Sequence, residues 1–288
     1  MPGEQGSDSK IIDGRALAKK IESEVHSKVQ MLKDQHNITP GLSTIVVGDD
    51  PASKMYVKLK HKACDRVGII AEDHFLSEDT TQEEVIELIQ NLNKRDDVHG
   101  ILVQLPLPEH INEQKVMMEI DPSKDADGFH PLNMGKLLIG NEELVPCTPR
   151  GIMTALEEYN VDIQGKDVVV VGHSNVVGKP MATMFLNRNA TVSVSHVYTQ
   201  NLNRYTINAD ILIVATGVKH LIKPDMVKEG VVIVDAGISK EEDKVYGDVD
   251  FDNVIKKASL ITPVPGGVGP MTIATLMQHV LKVAQNKV

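Results

Sequence analysis

VVVVGHSNVVGKP, residues 168–180, reads as a buried strand, a turn of small residues and the opening of a helix. Four valines in a row suit a strand covered on both faces. Gly172, Ser174 and Gly178 would let a phosphate come close to the backbone, and the N–H groups of a helix start favour negative charge. The fit to G-x-G-x-x-G is imperfect: Ser174 replaces the second glycine, and Gly178 falls one place late. A tight strand-to-helix turn with glycines kept only for packing is the plain alternative.

Outward from this turn, strand-like segments recur: DVVVV (167–171), TVSVS (191–195), ILIVA (211–215) and VVIVD (231–235). Each of the first three is followed by enough chain for a crossover, the pattern of a nucleotide-binding doubly wound sheet. Upstream, Thr148 and Pro149 suit the N-cap and first turn of a helix reaching about Tyr159. Downstream, residues 271–284 read as a final helix. The front half also alternates. Leu17, Ile21, Val25, Val29 and Leu32 mark an amphipathic helix over 12–35. LSTIVV (42–47) is a strand, 52–67 a helix closed by Gly68, and Thr81 with Glu84 a capping box opening another helix. GILVQL (100–105) is a buried strand stopped by Pro106 and Pro108. The fold class is therefore α/β, with two domains joined near residues 145–150.

Bulk properties narrow the function. With 41% hydrophobic and 24% charged residues over 288 positions, the chain can bury sizeable cores. A net charge of −10 and only 3% aromatic residues argue against a nucleic-acid or anionic-membrane binder. No apolar run is long enough to span a bilayer. MPGEQGSDSK has neither the apolar core of a signal peptide nor an Arg-rich transit pattern, so residues 1–9 read as a flexible polar tail and the setting as cytoplasmic. Two cysteines, Cys64 and Cys147, cannot build a disulfide framework and read as reduced, packed thiols. The histidine spacings match no metal motif, so no metal is expected.

Tyr56 and Lys60 lie four apart on the 52–67 helix and share a face. With Lys54, Lys58 and Lys62 nearby, an ordinary solvated face is the better explanation from spacing alone. Gln104 is harder to explain away, because a polar group in a buried strand needs a partner. PVPGGVGP (263–270) packs three prolines and three glycines before a helix, a rigid backbone suited to close approach of a ligand or to a hinge.

YVKLK (56–60), VQLPLP (103–108), DADG (125–128) and PVPGGVGPMT (263–272) occur in the order and spacing of the methylenetetrahydrofolate dehydrogenase/cyclohydrolase family, which the chain resembles from IIDGRALA (11–18) to its last helix. The resemblance implies an N-terminal catalytic domain, residues 1–147 completed by the helix of 270–288. It also implies a Rossmann-type NADP-binding domain at 148–269, with a cleft between the two. It assigns Lys60, Gln104, Asp127 and Tyr56 to catalysis. Folate contacts fall to Tyr56, Lys60, Val103, Gln104, Leu105, Asp127, Pro265, Gly266, Gly267 and Pro270, with Asp127 accepting hydrogen bonds from the pterin ring and Tyr56 packing on it. The dinucleotide falls to Gly172, His173, Ser174, Gly178, Val197, Gly237 and Ile238, with Pro180 completing the turn and Thr216-Gly217 another strand-end turn.

The implied chemistry is oxidation of 5,10-methylenetetrahydrofolate and hydrolysis of the methenyl product to 10-formyltetrahydrofolate, within one-carbon metabolism and purine biosynthesis, by a homodimer. A lysine partly buried beside Gln104 could serve as base or proton shuttle. The end of the second nucleotide strand carries Ser195, His196 and Val197 instead of the acid expected of an NAD site, which favours NADP over NAD. Many relatives place an Arg at position 173 or a Ser or Arg at 197 for the 2′-phosphate, so His173 or Lys179 would have to substitute. A different Rossmann oxidoreductase and a non-catalytic dinucleotide-binding homologue remain as alternatives at this level.

Overall fold

The computed structural model describes residues 10–241 and 244–288. The expected N-terminal tail, residues 1–9, lies outside the described residues. By compactness the chain divides into two units, described separately below.

One unit comprises Ala18–Cys147 and Ile273–Val288. Its elements are α1 (Gly14–His36, which begins in the other unit), β1 (Gly41–Val47), α2 (Pro51–Val67), β2 (Ile70–Leu76), α3 (Gln82–Asn93), β3 (Gly100–Val103), α4 (Glu113–Met118) and α5 (Pro131–Leu138). The three strands form a parallel sheet in the order β2-β1-β3. The predicted periodic face of α1 is turned inward at Ile21, Val25, Val29 and Leu32. Thr81 and Glu84 form the expected reciprocal capping box on α3, satisfying two of the otherwise orphaned N–H groups of a helix start. Ile45, Val85, Ile89, Ile101 and Val116 are among the core residues packed between sheet and helices.

Two expectations are corrected here. The strand expected over 100–105 ends at Val103, so Gln104 and Leu105 lie just beyond it. Strand β2 was not anticipated: Glu72, Asp73 and His74 break the apolar pattern of IAEDHFL. That pattern suits its place, since β2 pairs only with β1 and has one free edge, where charge is tolerated and discourages further pairing.

The other unit comprises Thr148–Thr272 with the described residues up to Leu17. After α6 (Cys147–Glu158) follow β4 (Asp167–Val171), α7 (Gly178–Leu186), β5 (Thr191–Ser195), α8 (Asn203–Thr206), β6 (Ile211–Val214), β7 (Val232–Asp235), an antiparallel pair of β8 (Ser239–Glu241) and β9 (Lys244–Tyr246), α9 (Phe251–Val254), β10 (Leu260–Ile261) and the start of α10 (Val268–Gln285, which belongs to the first unit from Ile273 on). Its five-stranded sheet is parallel in the order β10-β7-β6-β4-β5. The four expected strands are present, and β10 adds a fifth. Residues before Leu17 join this unit because Ile11 bridges to Ile261 and the Ile12 N–H donates to the Ile261 carbonyl at 2.9 Å. Helix α6 starts at Cys147, so Thr148 is its second residue and not its cap; the Thr148 hydroxyl instead meets that of Thr272 at 2.9 Å. Helix α10 starts three residues before the expected Met271.

The order places β5 on one side of β4 and β6 on the other. In such sheets ligands settle beyond the strand ends at the point where the order reverses, which here is the end of β4.

Candidate active site

Helix α2 is fixed at both ends. The Asp50 carboxylate accepts the Ser53 N–H at 2.7 Å, Pro51 supplies the first turn, and Gly68 closes the helix in the left-handed conformation at φ 81°. The rotation so imposed buries Ser53, Val57, Lys60, Ala63, Cys64 and Val67, while Lys54, Lys58 and Lys62 stay exposed. Lys60 is thus the lysine of this cluster that leaves water, with 9% of its surface exposed. Tyr56 is half-buried one turn earlier.

A buried ammonium needs acceptors. The Lys60 Nζ donates to the Gln104 Oε1 at 3.1 Å. Gln104 is itself held: its N–H donates to the Ile45 carbonyl at 2.8 Å, and its Nε2 donates to the Leu105 carbonyl at 2.8 Å. Because the amide nitrogen is committed to Leu105, the amide oxygen is the atom left to face the lysine.

The two aspartates of DADG divide their work. Asp125, 1% exposed, accepts from the Gly128 N–H at 3.0 Å, the His130 N–H at 2.8 Å and the Asn133 Nδ2 at 2.9 Å, and so shapes the loop. Asp127 is half-buried. Burial pushes its carboxyl above the ordinary range, against the opposing pull of the Lys60 charge. The Cys147 thiol donates to the Ala126 carbonyl at 3.3 Å and lies 3.5 Å from the His279 Nδ1. Burial pushes Cys147 well up, and Cys64 up to about 12, so both stay neutral thiols at neutral pH.

In the other unit the predicted residues lie at main-chain turns beyond strand ends. Gly172 follows β4 at φ 118°, and a Cβ there would stand 2.3 Å from the Ala215 carbonyl oxygen. A Cβ on Gly178 would stand 2.1 Å from the Gly172 oxygen. Both positions therefore admit only glycine. Ser174 spans the turn, its Oγ accepting the Val177 N–H at 3.1 Å and its carbonyl the Lys179 N–H at 3.0 Å. Helix α7 has no side-chain cap on Val177, and the N–H groups of Val177 and Lys179 at its start are taken up by Ser174. Lys179 is drawn to the Asn175 Oδ1 at 2.7 Å, whereas the His173 ring lies 4.7 Å from that of His196. Val197 is 84% exposed. Gly237 and Ile238 follow β7. Pro265, Gly266 and Gly267 form a turn closed by the Gly267 N–H on the Pro263 carbonyl at 2.8 Å, and Pro270 is the third residue of α10.

Sequence reading missed three groups: Asp125, Asp235 and Asp248. Each is a buried carboxylate accepting backbone N–H groups. The available signal was an aspartate within three residues of a glycine at a strand end or turn.

Fold and site together define a two-unit α/β enzyme with a dinucleotide-binding half. Residues 12–127 match the tetrahydrofolate dehydrogenase/cyclohydrolase catalytic domain, and residues 146–288 match the NAD(P)-binding domain of the same enzymes. A bifunctional protein FolD of Methanosarcina barkeri is 70% identical over 282 residues, covering 98% of each chain. The crystal structure of the bifunctional FolD dehydrogenase/cyclohydrolase of Campylobacter jejuni superposes with a TM-score of 0.95 at 53% identity, over 96% of this chain and 99% of that one. The Trypanosoma brucei enzyme, solved with NADP and an inhibitor, gives 0.93 at 38% identity, over 96% and 97%. The chain belongs to the tetrahydrofolate dehydrogenase/cyclohydrolase family.

Proposed function

We propose that this chain oxidises 5,10-methylenetetrahydrofolate with NADP and hydrolyses the resulting 5,10-methenyl cation to 10-formyltetrahydrofolate, with Lys60 as the proton-handling group of the second step. The observation that carries this reading is the buried Lys60 Nζ on the Gln104 Oε1, in the same unit as a carboxyl, Asp127, that feels the lysine charge. NADP, bound at the turn from Gly172 to Gly178, supplies the hydride acceptor.

The residues present fit that cofactor. The close-packed glycines at 172 and 178 keep side chains off the turn at the start of α7, so a pyrophosphate could approach its backbone. The end of β5 carries no carboxylate that would repel a 2′-phosphate. His173 and Val197 would hold the adenosine end, and Gly237 and Ile238 the nicotinamide end.

In the hydrolytic step, water adds to the cationic methenyl carbon and gives up both its protons, one to the ring nitrogen whose bond to that carbon breaks and one to solvent, leaving the formyl carbonyl. Lys60 relays the proton, Gln104 fixes the Lys60 nitrogen, and Asp127 accepts hydrogen bonds from the pterin. Tyr56 packs on the folate, with Val103, Leu105, Pro265, Gly266, Gly267 and Pro270 as its further contacts. The hydride step needs alignment more than proton transfer, so it depends less on Lys60. We place the enzyme in the cytoplasm as a homodimer. The free edge of the nucleotide sheet at β5, with Val194 exposed, supports self-association.

The test is turnover of 5,10-methylenetetrahydrofolate with NADP and with NAD, followed at 340 nm with acid quenching to separate methenyl-folate absorbance. Higher kcat/KM with NADP is expected. Equal or higher efficiency with NAD would overturn the cofactor assignment, and no turnover with either would overturn the function.

A further inference from the structure

Two carboxylates are buried together beyond the ends of β6 and β7. Asp235, 3% exposed, ends β7 and accepts the N–H groups of Gly237 at 3.0 Å, Asp248 at 3.1 Å and Val249 at 2.9 Å. Asp248, fully buried, follows the β8–β9 pair. Its Oδ2 accepts the Thr216 N–H at 2.6 Å, the Thr216 hydroxyl at 2.8 Å and the Gly217 N–H at 3.0 Å. Its Oδ1 has no hydrogen-bond partner among the described residues. The carboxylate sits directly on the Gly237 backbone, where a Cβ would fall 2.0 Å from the Asp248 Cγ.

This is a costly way to close two loops. A buried carboxylate oxygen without a donor, beside a second carboxylate, lowers stability, and neutral turns would close the same strands. What the arrangement achieves is geometric. It draws the strand-end loop after β6, the loop after β7 and the chain after β9 onto one pair of side chains. The Ser239 hydroxyl adds a bond to the Gly217 carbonyl at 2.9 Å. The loop after β6 also bears on the dinucleotide turn, because the Ala215 carbonyl lies against Gly172 so closely that no Cβ fits between them. Displacement of 215–217 therefore alters the Gly172 backbone.

We propose that Asp248 is a positioning residue for dinucleotide binding: through Thr216 and Gly217 it fixes the wall against which the Gly172 turn is shaped, and through its packing on Gly237 it aligns the loop after β7. This rests on the reading that the unit binds NADP, and it assigns a role to a group that touches the site only through other residues.

The experiment uses the full chain with Asp248→Asn and Thr216→Val. NADPH affinity is measured by titrating the intrinsic fluorescence of NADPH without folate. Hydrolysis of preformed 5,10-methenyltetrahydrofolate is measured without dinucleotide. Asparagine keeps the shape of Asp248 but cannot accept all three donors through a charged group, so its dissociation constant for NADPH should rise about tenfold to a hundredfold. Thr216→Val removes one of the three bonds to Asp248, together with the bond the hydroxyl accepts from the Val218 N–H, and should move affinity in the same direction by less. Hydrolysis should stay within about twofold in both, since a positioning effect on the dinucleotide side does not reach a step that uses none. Unchanged NADPH affinity in Asp248→Asn overturns the proposal, and so does a parallel fall of hydrolysis and affinity, which marks general loss of fold. If Asp248→Asn does not fold, Thr216→Val decides by the same two readings. If the wild-type chain binds NADPH but turns over no folate, the functional reading fails separately, and an unchanged thermal midpoint replaces hydrolysis as the control.

Discussion

In the unit of Ala18–Cys147 the candidate site is made of side chains, whereas in the unit of Thr148–Thr272 it is made of main chain. Lys60, Gln104 and Asp127 matter for the groups they carry: an amine, an amide oxygen and a carboxyl whose surroundings set their chemistry. Gly172 and Gly178 matter for what they lack, since a methyl at either would overlap a carbonyl. Helix ends show the same contrast. Helix α3 spends Thr81 and Glu84 on its own N–H groups, while α7 leaves its start without a side-chain cap beside the glycine turn. A site that moves protons needs functional groups held by partners. A site that holds a long anionic ligand needs exposed donors and room.

Removing the reactive group should have the largest effect. Lys60→Met should reduce hydrolysis of 5,10-methenyltetrahydrofolate by about a hundredfold or more, while dehydrogenase kcat falls far less. Steady-state assays of each half-reaction measure this, and hydrolysis at near wild-type rate would erase the distinction between the two sites. Adding one carbon to the main-chain site comes next. Gly172→Ala should raise the KM for NADP by about tenfold to a hundredfold through strain against the Ala215 carbonyl, with hydrolysis of preformed substrate preserved. An alanine variant with normal NADP affinity would show that close packing at this turn is not what shapes the site.

The smallest effect sharpens the comparison from the side of stability. Burial raises the Asp235 carboxyl from its ordinary 3.8 to about 7, with the Asp248 charge adding to the rise and backbone hydrogen bonds opposing it. A folded state that holds this proton more tightly than the unfolded chain gains most at low pH. The contribution declines as pH rises from about 4 toward 7 and is constant above. Asp235→Asn cannot ionise, so its urea midpoint should fall less than that of the wild type between pH 4 and 7, whatever the offset between the two proteins. Parallel pH profiles would remove Asp235 as the source. The Asp127 carboxyl, also raised by burial, contributes a decline of the same sign that the variant retains.

Much of this was legible before any coordinates. The strands of the nucleotide sheet were marked by runs of Val and Ile, the α1 face by its helical period, the α3 start by Thr81 and Glu84, and the tight turn after β4 by glycine spacing. These are local signals: a run of four to eight residues carries them, and tertiary contact only ratifies the choice. Strand β2 was hidden because an edge strand needs only one partner and little apolar surface, so its residues read as loop.

Spacing alone determined that Tyr56 and Lys60 share a helix face and that Gly172 opens a turn. It could not say which of Lys54, Lys58, Lys60 and Lys62 leaves water, since periodicity defines the relative phase of side chains but not the direction of the core. The packing of α2 decided that, placing Lys60 on Gln104, 44 residues away in sequence. Nor could it distinguish Asp125, which builds its loop, from Asp127, or show that Asp248 holds a loop 31 residues before it. Burial and hydrogen bonding are properties of residues brought together from distant parts of the chain, so they become definite only when the sheets and helices close around them.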